Sequence, residues 1–242
     1  MEFSVLEKKS DSLVVLHLKE CSIPFANELR RAIISQLSAF AIDEVDFYEN
    51  NSPFYNELIS NRLGLIPLTY EEGIADEARI SLTLNTQGPG VVYSRDLVSG
   101  DEKITALNGD FPIAELGENQ SLRFEGWAVK ATGRKHAKFQ SAHASYSNYP
   151  VFTVKKNSQK LPDFLKSIPA NCLDSKGNVI PWKCGAVVDF AEQNPDAASY
   201  SEKEDQFVFI IESYNNLPAL QQLERALEVM GENTKELKKL LK

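Results

Sequence analysis

The hydrophobic period of this chain changes in a fixed order, and that order constrains the fold more than any single motif. "EFSVLEKKSDSLVVLHLKE" reads as a β-hairpin, with two β-rich runs around the polar turn Lys8–Asp11. Ser22 and Pro24 then signal a helix start, and the pattern predicts a helix from about Pro24 to Phe40. "AIDEVDFYE" switches to period two, setting Val45 and Phe47 against Glu44, Asp46 and Tyr48, which is a half-buried strand. "NSPFYNELISNRLG" predicts a short second helix with Ser52 as N-cap, Pro53 at the first helical position and Gly64 as its stop. "LGLIPL" follows as an apolar extended run, and residues 79–131 carry several β-like runs separated by turn signals. From Ser141 to Asp205 the periodicity weakens, with a helical turn at "LPDFLKSI" and a tight turn at "DSKGN". "QFVFIIES" is again a strand, and Pro218 opens a long C-terminal helix. Strand–helix, β module, strand–helix predicts one α+β domain interrupted by an insertion.

Both long helices have more apolar surface than they need at home. On a helical wheel Phe25, Ala26, Leu29, Ala32, Ile33, Leu37, Ala39 and Phe40 fall within about 160°, and Ile34 widens the face to about 220°, against roughly 100° for a helix resting on one sheet. Either the helix is buried between two layers of its own chain, or it covers its sheet and also meets another subunit. In the C-terminal helix Leu220, Leu223, Leu227, Met230, Thr234, Leu237 and Leu241 step by three and four, an a/d seam that is a core stripe or a partner surface. Gly231 is a place where that helix could bend.

Composition narrows the function classes. The chain has 242 residues and a net charge of -8, so it is a poor autonomous binder of nucleic acid, whose affinity comes from Lys and Arg. Lys130, Arg134, Lys135 and Lys138 form one local basic cluster, open to reading as a protein contact, a solvated loop or a DNA contact. The cysteines, Cys21, Cys172 and Cys184, are odd in number and form no CxxC pair, which argues against a disulfide framework or a standard zinc site. The N-terminus lacks a signal-peptide apolar core and no run approaches membrane-spanning length, so a reducing cytoplasmic setting is expected.

"ANELRRAIISQLSAFAIDEVDFYEN" and "NRLGLIPL", taken together, closely resemble the D family of α-like assembly subunits of archaeal RNA polymerase, relatives of the eukaryotic α-like subunits and of the bacterial α N-terminal domain. The resemblance continues in "GPGVVYSRDL", "GRKHAKF" and "FVFIIES", and covers nearly the whole chain. It implies a discontinuous dimerisation domain, an antiparallel sheet plus two helices, from residues 1–41 and 142–242, with a mainly-β insertion at 42–141. It implies a non-catalytic assembly platform that heterodimerises with the L subunit and recruits the N subunit and the second-largest subunit, with no homo-oligomer and no direct nucleic-acid or membrane contact. Carried over by position, the N-x-L-R-R pattern falls on Asn27, Leu29, Arg30 and Arg31. Ile33, Ile34 and Leu37 continue that helix face, and Arg30 or Arg31 would anchor a large subunit through a bidentate carboxylate contact. Arg62, Leu63, Gly64, Leu65 and Pro67 fall where the family makes intersubunit contacts, as do His136 and Lys138 in the return segment. Leu220, Leu223, Leu227 and Met230 complete the expected partner surface. Many archaeal members carry a ferredoxin-like insert with cysteine clusters for iron–sulfur centres. Here residues 151–205 hold only Cys172 and Cys184, so a degenerate insert without cofactor is expected.

No catalytic constellation emerges. "LNGDFP" has a single carboxylate, Asp110, where metal-assisted phosphoryl transfer needs several, and reads as a loop. "QGPG" lacks the Lys and helix of a phosphate loop, and His17, His136 and His143 have no metal-ligand spacing. A stand-alone enzyme would rest on nothing more than the capacity to form a pocket.

Overall fold

The computed structural model describes residues 1–155 and 160–241. Residues 156–159 of the expected insert, and Lys242 of the expected C-terminal helix, lie outside the described residues. In chain order the elements are β1 (Glu2–Lys8), β2 (Leu13–Lys19), α1 (Ile23–Ser35), β3 (Ser38–Asn50), α2 (Asn56–Gly64), β4 (Arg79–Gln87), β5 (Gly90–Tyr93), β6 (Val98–Ser99), β7 (Pro112–Leu116), β8 (Ser121–Thr132), β9 (Ala142–Val154), α3 (Leu161–Ser167), α4 (Ala186–Gln193), β10 (Ala198–Ser213) and α5 (Ala219–Leu240). This is an α+β fold. Its contacts divide into two compact units: Met1–Lys8, Val15–Glu28 and Ser145–Ile210 in one, Lys9–Val14, Leu29–Ala144 and Ile211–Lys242 in the other.

The sheet with order β1-β2-β10-β9 forms the frame of the first unit. β2 is an interior strand, and its unbroken buried run Val14–Leu18 is what a strand covered on both faces shows. His17 lies in that run, with its ring stacked on Tyr149 at 4.0 Å and Nε2 3.0 Å from Gln206 Oε1. Beyond the sheet, α3, α4 and short 3-10 turns close a separate core around Phe152, Phe164, Val187 and Phe190. Gly177, at φ 79°, makes the tight turn expected in "DSKGN".

In the second unit the sheet runs β3-β8-β4-β6, with β5 and β7 as a separate pair. β3 pairs antiparallel with β8 from Ser38↔Thr132 to Asn50↔Leu122. The core under this sheet joins Phe40, Ile42, Leu82, Leu84 and Phe124 to Ile59 and Leu63 of α2. Period two is visible in β3, where Val45 and Phe47 are half-buried against exposed Glu44, Asp46 and Tyr48.

Three expectations need correction. α1 stops at Ser35, and Ala39 and Phe40 are strand residues. Pairing with β8 captures them, and Arg134 N–H donates to the Ser35 carbonyl at 3.1 Å, capping the helix end. Gly133 permits that approach, because a Cβ there would collide with the Ile34 carbonyl oxygen. α2 begins at Asn56 rather than Pro53, and Ser52 is not its cap. Instead Asn50 organises the entry turn: Oδ1 accepts from Ser52 Oγ at 2.6 Å, and Nδ2 donates to Phe54 O at 2.9 Å and Asn56 Oδ1 at 2.7 Å. Gly64 is not a left-handed stop but the last residue of α2. A Cβ there would sit 3.3 Å from the Ile42 carbonyl, so its value is close approach of helix to strand. α5 runs through Gly231 as a single helix.

Candidate partner-binding surfaces

The base of α5 is locked by buried polar groups. Gln222 is fully buried; its Nε2 donates to Asn215 Oδ1 at 2.8 Å and Ser213 Oγ at 3.2 Å, and its Oε1 accepts from Ser141 Oγ at 2.9 Å. Asn215 Nδ2 also donates to Ser141 Oγ at 3.1 Å. The Arg225 guanidinium lies 4.2 Å from the centre of the Tyr70 ring and donates to the Ser38 carbonyl at 3.3 Å. Asn216 brackets the Tyr70 backbone, accepting from its N–H at 2.6 Å and donating to its carbonyl at 3.1 Å. A satisfied buried network of this kind fixes one orientation of the helix.

The a/d seam of α5 is not the face that this network buries. Buried positions are Ala219, Gln222, Leu223 and Ala226, whose centre lies about 60° round the helix from that of the seam. Of the seam only Leu223 is buried; Met230 is half-buried and Leu220 and Leu227 are exposed. Every residue from Gly231 to Leu240 is exposed, with Leu237 at 56% and Leu241 at 78%. The second half of this helix is an apolar stripe without cover among the described residues.

On α1, Leu29 and Ile33 are fully buried within the chain, and Leu37, just past the helix, is buried as well. Asn27, Arg30 and Ile34 are half-buried and Arg31 is exposed. The open part of this helix is therefore narrower than the helical wheel implies.

"RLGLIPL" and "GRKHAKF" meet in the second unit. Arg62 is turned inward, donating to the Ile113 carbonyl at 3.0 Å with its guanidinium 5.2 Å from the Phe54 ring centre. Leu63 is core, and Leu65 points out with 61% exposed. A cavity of about 130 Å³ is lined by Leu65 and Pro67, by Phe40 and Lys138, and by Tyr214 and Asn215. His136 starts the 3-10 turn that carries Lys138, accepting the Lys138 N–H on Nδ1 at 3.1 Å.

The basic cluster is partly neutralised inside the chain. Lys138 Nζ pairs with Asp43 at 2.6 Å and donates to the Ile42 carbonyl at 3.1 Å; Lys135 reaches the same carboxylate at 2.8 Å. Hydrogen bonds from Lys135 and Lys138 hold the Asp43 carboxyl below its ordinary range. Lys130 pairs with Asp76 at 2.8 Å. Three of the four cations thus have carboxylate partners, but Lys135 and Lys138 share one, so the pairing lowers the charge open to phosphate without cancelling it.

The RNA polymerase Rpb3/RpoA insert domain matches residues 2–151. The chain belongs to this family of α-like RNA polymerase subunits. Among relatives of this α-like family, it is 32% identical to DNA-directed RNA polymerase subunit Rpo3 of Pyrococcus furiosus, over 95% of this chain and 93% of that one. It is 33% identical to the Rpo3 subunit of Archaeoglobus fulgidus, over 99% and 97%, and 34% identical to that of Halobacterium salinarum, over 88% and 86%.

Of the predicted residues, the structure brings Gly64 and Lys138 together at the Ile42 carbonyl and sets Leu63 in the core that holds Ile42, whereas Arg62 turns away to the Ile113 carbonyl. Asp43 and the Gln222–Asn215–Ser141 network are the residues that sequence reasoning missed. Each is a polar side chain whose partner lies far along the chain, so local pattern offers no sign of it. In the first unit Cys172 and Cys184 share one buried cluster, and Cys172 Sγ donates to the Lys183 carbonyl at 3.4 Å. Burial, with the neighbouring Cys172 thiol, pushes the Cys184 thiol up. No group of His, Cys, Asp and Glu among the described residues could hold a metal ion, and no described helix is long and apolar enough to cross a membrane.

Proposed function

We propose that this chain is a non-catalytic, cytoplasmic platform subunit of DNA-directed RNA polymerase. It heterodimerises with the L subunit, and the pair recruits the N subunit and the second-largest subunit. The observation that carries this reading is α5: a helix fixed at its base by buried hydrogen bonds, with an exposed leucine stripe beyond it. A leucine seam held rigidly costs little entropy to dock, which is what an obligate partner interface uses. The discontinuous 1–41 and 142–242 domain would supply the dimer face, with Arg31 and Arg30 beside it as the large-subunit anchor. The insert at 151–205 is cluster-free in this proposal. Its two thiols are half of what a cluster takes, and they sit inside an aromatic core. Co-expression with the L and N subunits tests the assignment: a stable 1:1 complex with L, lost on replacing Leu227 and Leu237 by Asp, is the expected result. A monodisperse chain that ignores L would refute it.

A further inference from the structure

Four consecutive residues of β3, Val45, Asp46, Phe47 and Tyr48, line one groove of about 780 Å³ together with Asn56, Glu57 and Ser60 of α2. Successive side chains of a strand point to opposite faces of the sheet. A groove that meets an unbroken run of four therefore borders the edge of the strand. β3 is the outermost strand of its sheet, with β8 as its neighbour. Its register is irregular between Ile42 and Glu44 and again between Phe47 and Glu49, so Glu44–Phe47 is a short regular window between two bulges. Among the described residues, no hydrogen bond from outside the sheet reaches the backbone of residues 44–49. An antiparallel strand directs alternate N–H and C=O groups away from its partner, and an open edge of that kind is a template for strand addition. Asn56, Glu57 and Ser60 occupy about one turn of α2 and wall the groove on its other side.

The lining also has a sign. Asp46 and Glu57 are both exposed carboxylates, and no cation among the described residues lines the groove. Asp46 accepts from Trp127 Nε1 at 3.0 Å, a neutral donor that leaves its charge in place. Exposed Tyr48, at 60%, adds a large contact surface beside it. A field of this sign attracts Lys and Arg and repels acidic chains and nucleic acid.

We propose that the groove receives an extended, basic segment of another polypeptide, which pairs with the free edge of β3 between its two bulges and lies against α2. Main-chain bonds supply the affinity and the carboxylates select the charge. The proposal rests on the assembly-subunit reading above, which supplies the second polypeptide. Amide hydrogen exchange over residues 44–48, in the isolated chain and in purified polymerase containing it, is the test. Alternate amides in this window should slow by at least about tenfold on assembly. Equal exchange in both, with the chain demonstrably in the complex, would overturn the groove proposal and leave the assembly reading standing. Failure to enter the complex at all would instead count against the assembly reading. Glu57→Lys, on an exposed position, should remove the protection, whereas unchanged protection would refute a basic occupant. A photo-cross-linker at position 60, within the groove wall, then identifies what is bound. An extended Lys- or Arg-bearing protein segment supports the proposal, and nucleic acid or a second copy of this chain overturns it.

Discussion

Lys138 Nζ lies 2.6 Å from Asp43 Oδ1, with only 14% of the lysine side chain and 25% of the aspartate exposed. A Cβ on Gly64 would touch the Lys138 Cδ at 3.6 Å, so the lysine stem runs beneath the end of α2. A cation in that position is a structural element of the junction before it is a contact for any partner.

Asp43→Asn should destabilise the chain by about 1–3 kcal/mol, because it leaves a largely buried ammonium without its counter-charge. The urea midpoint measures it. The same carboxylate sets a pH dependence. Its folded pKa is depressed, so the unfolded chain takes up the proton first as pH falls. The stabilisation is present above the unfolded value of about 3.9 and is lost as pH drops through the lower folded value. The loss attributable to Asp43 should therefore appear below about pH 4 and be missing from Asp43→Asn.

Gly133→Ala should cost about 1–3 kcal/mol, since the added methyl meets backbone at Ile34 and Ser35 rather than a movable side chain. Thermal melts of the variant would show it. A neutral result would mean that the cap from Arg134 to Ser35 is readily displaced.

Gln222→Leu keeps the side-chain volume but leaves Ser141 and Asn215 short of partners in a buried site. A loss of about 2–3 kcal/mol is expected. Chemical denaturation measures it, and a stabilised variant would show that apolar packing outweighs the network there.

Leu237→Asp should change the stability of the isolated chain by less than about 0.5 kcal/mol, because the residue is exposed. Leu223→Asp, at a buried position of the same seam about four turns nearer the start of α5, should instead destabilise it by more than about 3 kcal/mol. Association with the partner subunit, followed by calorimetry, should be weakened by both, but in Leu237→Asp without any loss of fold.

Legibility differed between elements for physical reasons. The strand Glu44–Tyr48 was readable because alternation needs only neighbours in sequence. Ser52 misled because Asn50, two residues earlier, competes for the same turn and wins with four hydrogen bonds to or from its own amide. The end of α1 misled because "SAF" has both helical and strand periodicity, and only pairing with Ala131 and Lys130 decides between them.

By itself, the amino-acid order determined the α+β class, the β-rich middle, the long C-terminal helix and the family motif. All of these are carried by local periodicity and spacing. Tertiary structure alone decided which leucines are core and which are open, which lysines are already paired with Asp43 and Asp76, and that β3 has a free edge. Those properties depend on residues tens to hundreds of positions apart, and burial or ion pairing exists only once the chain has brought them together.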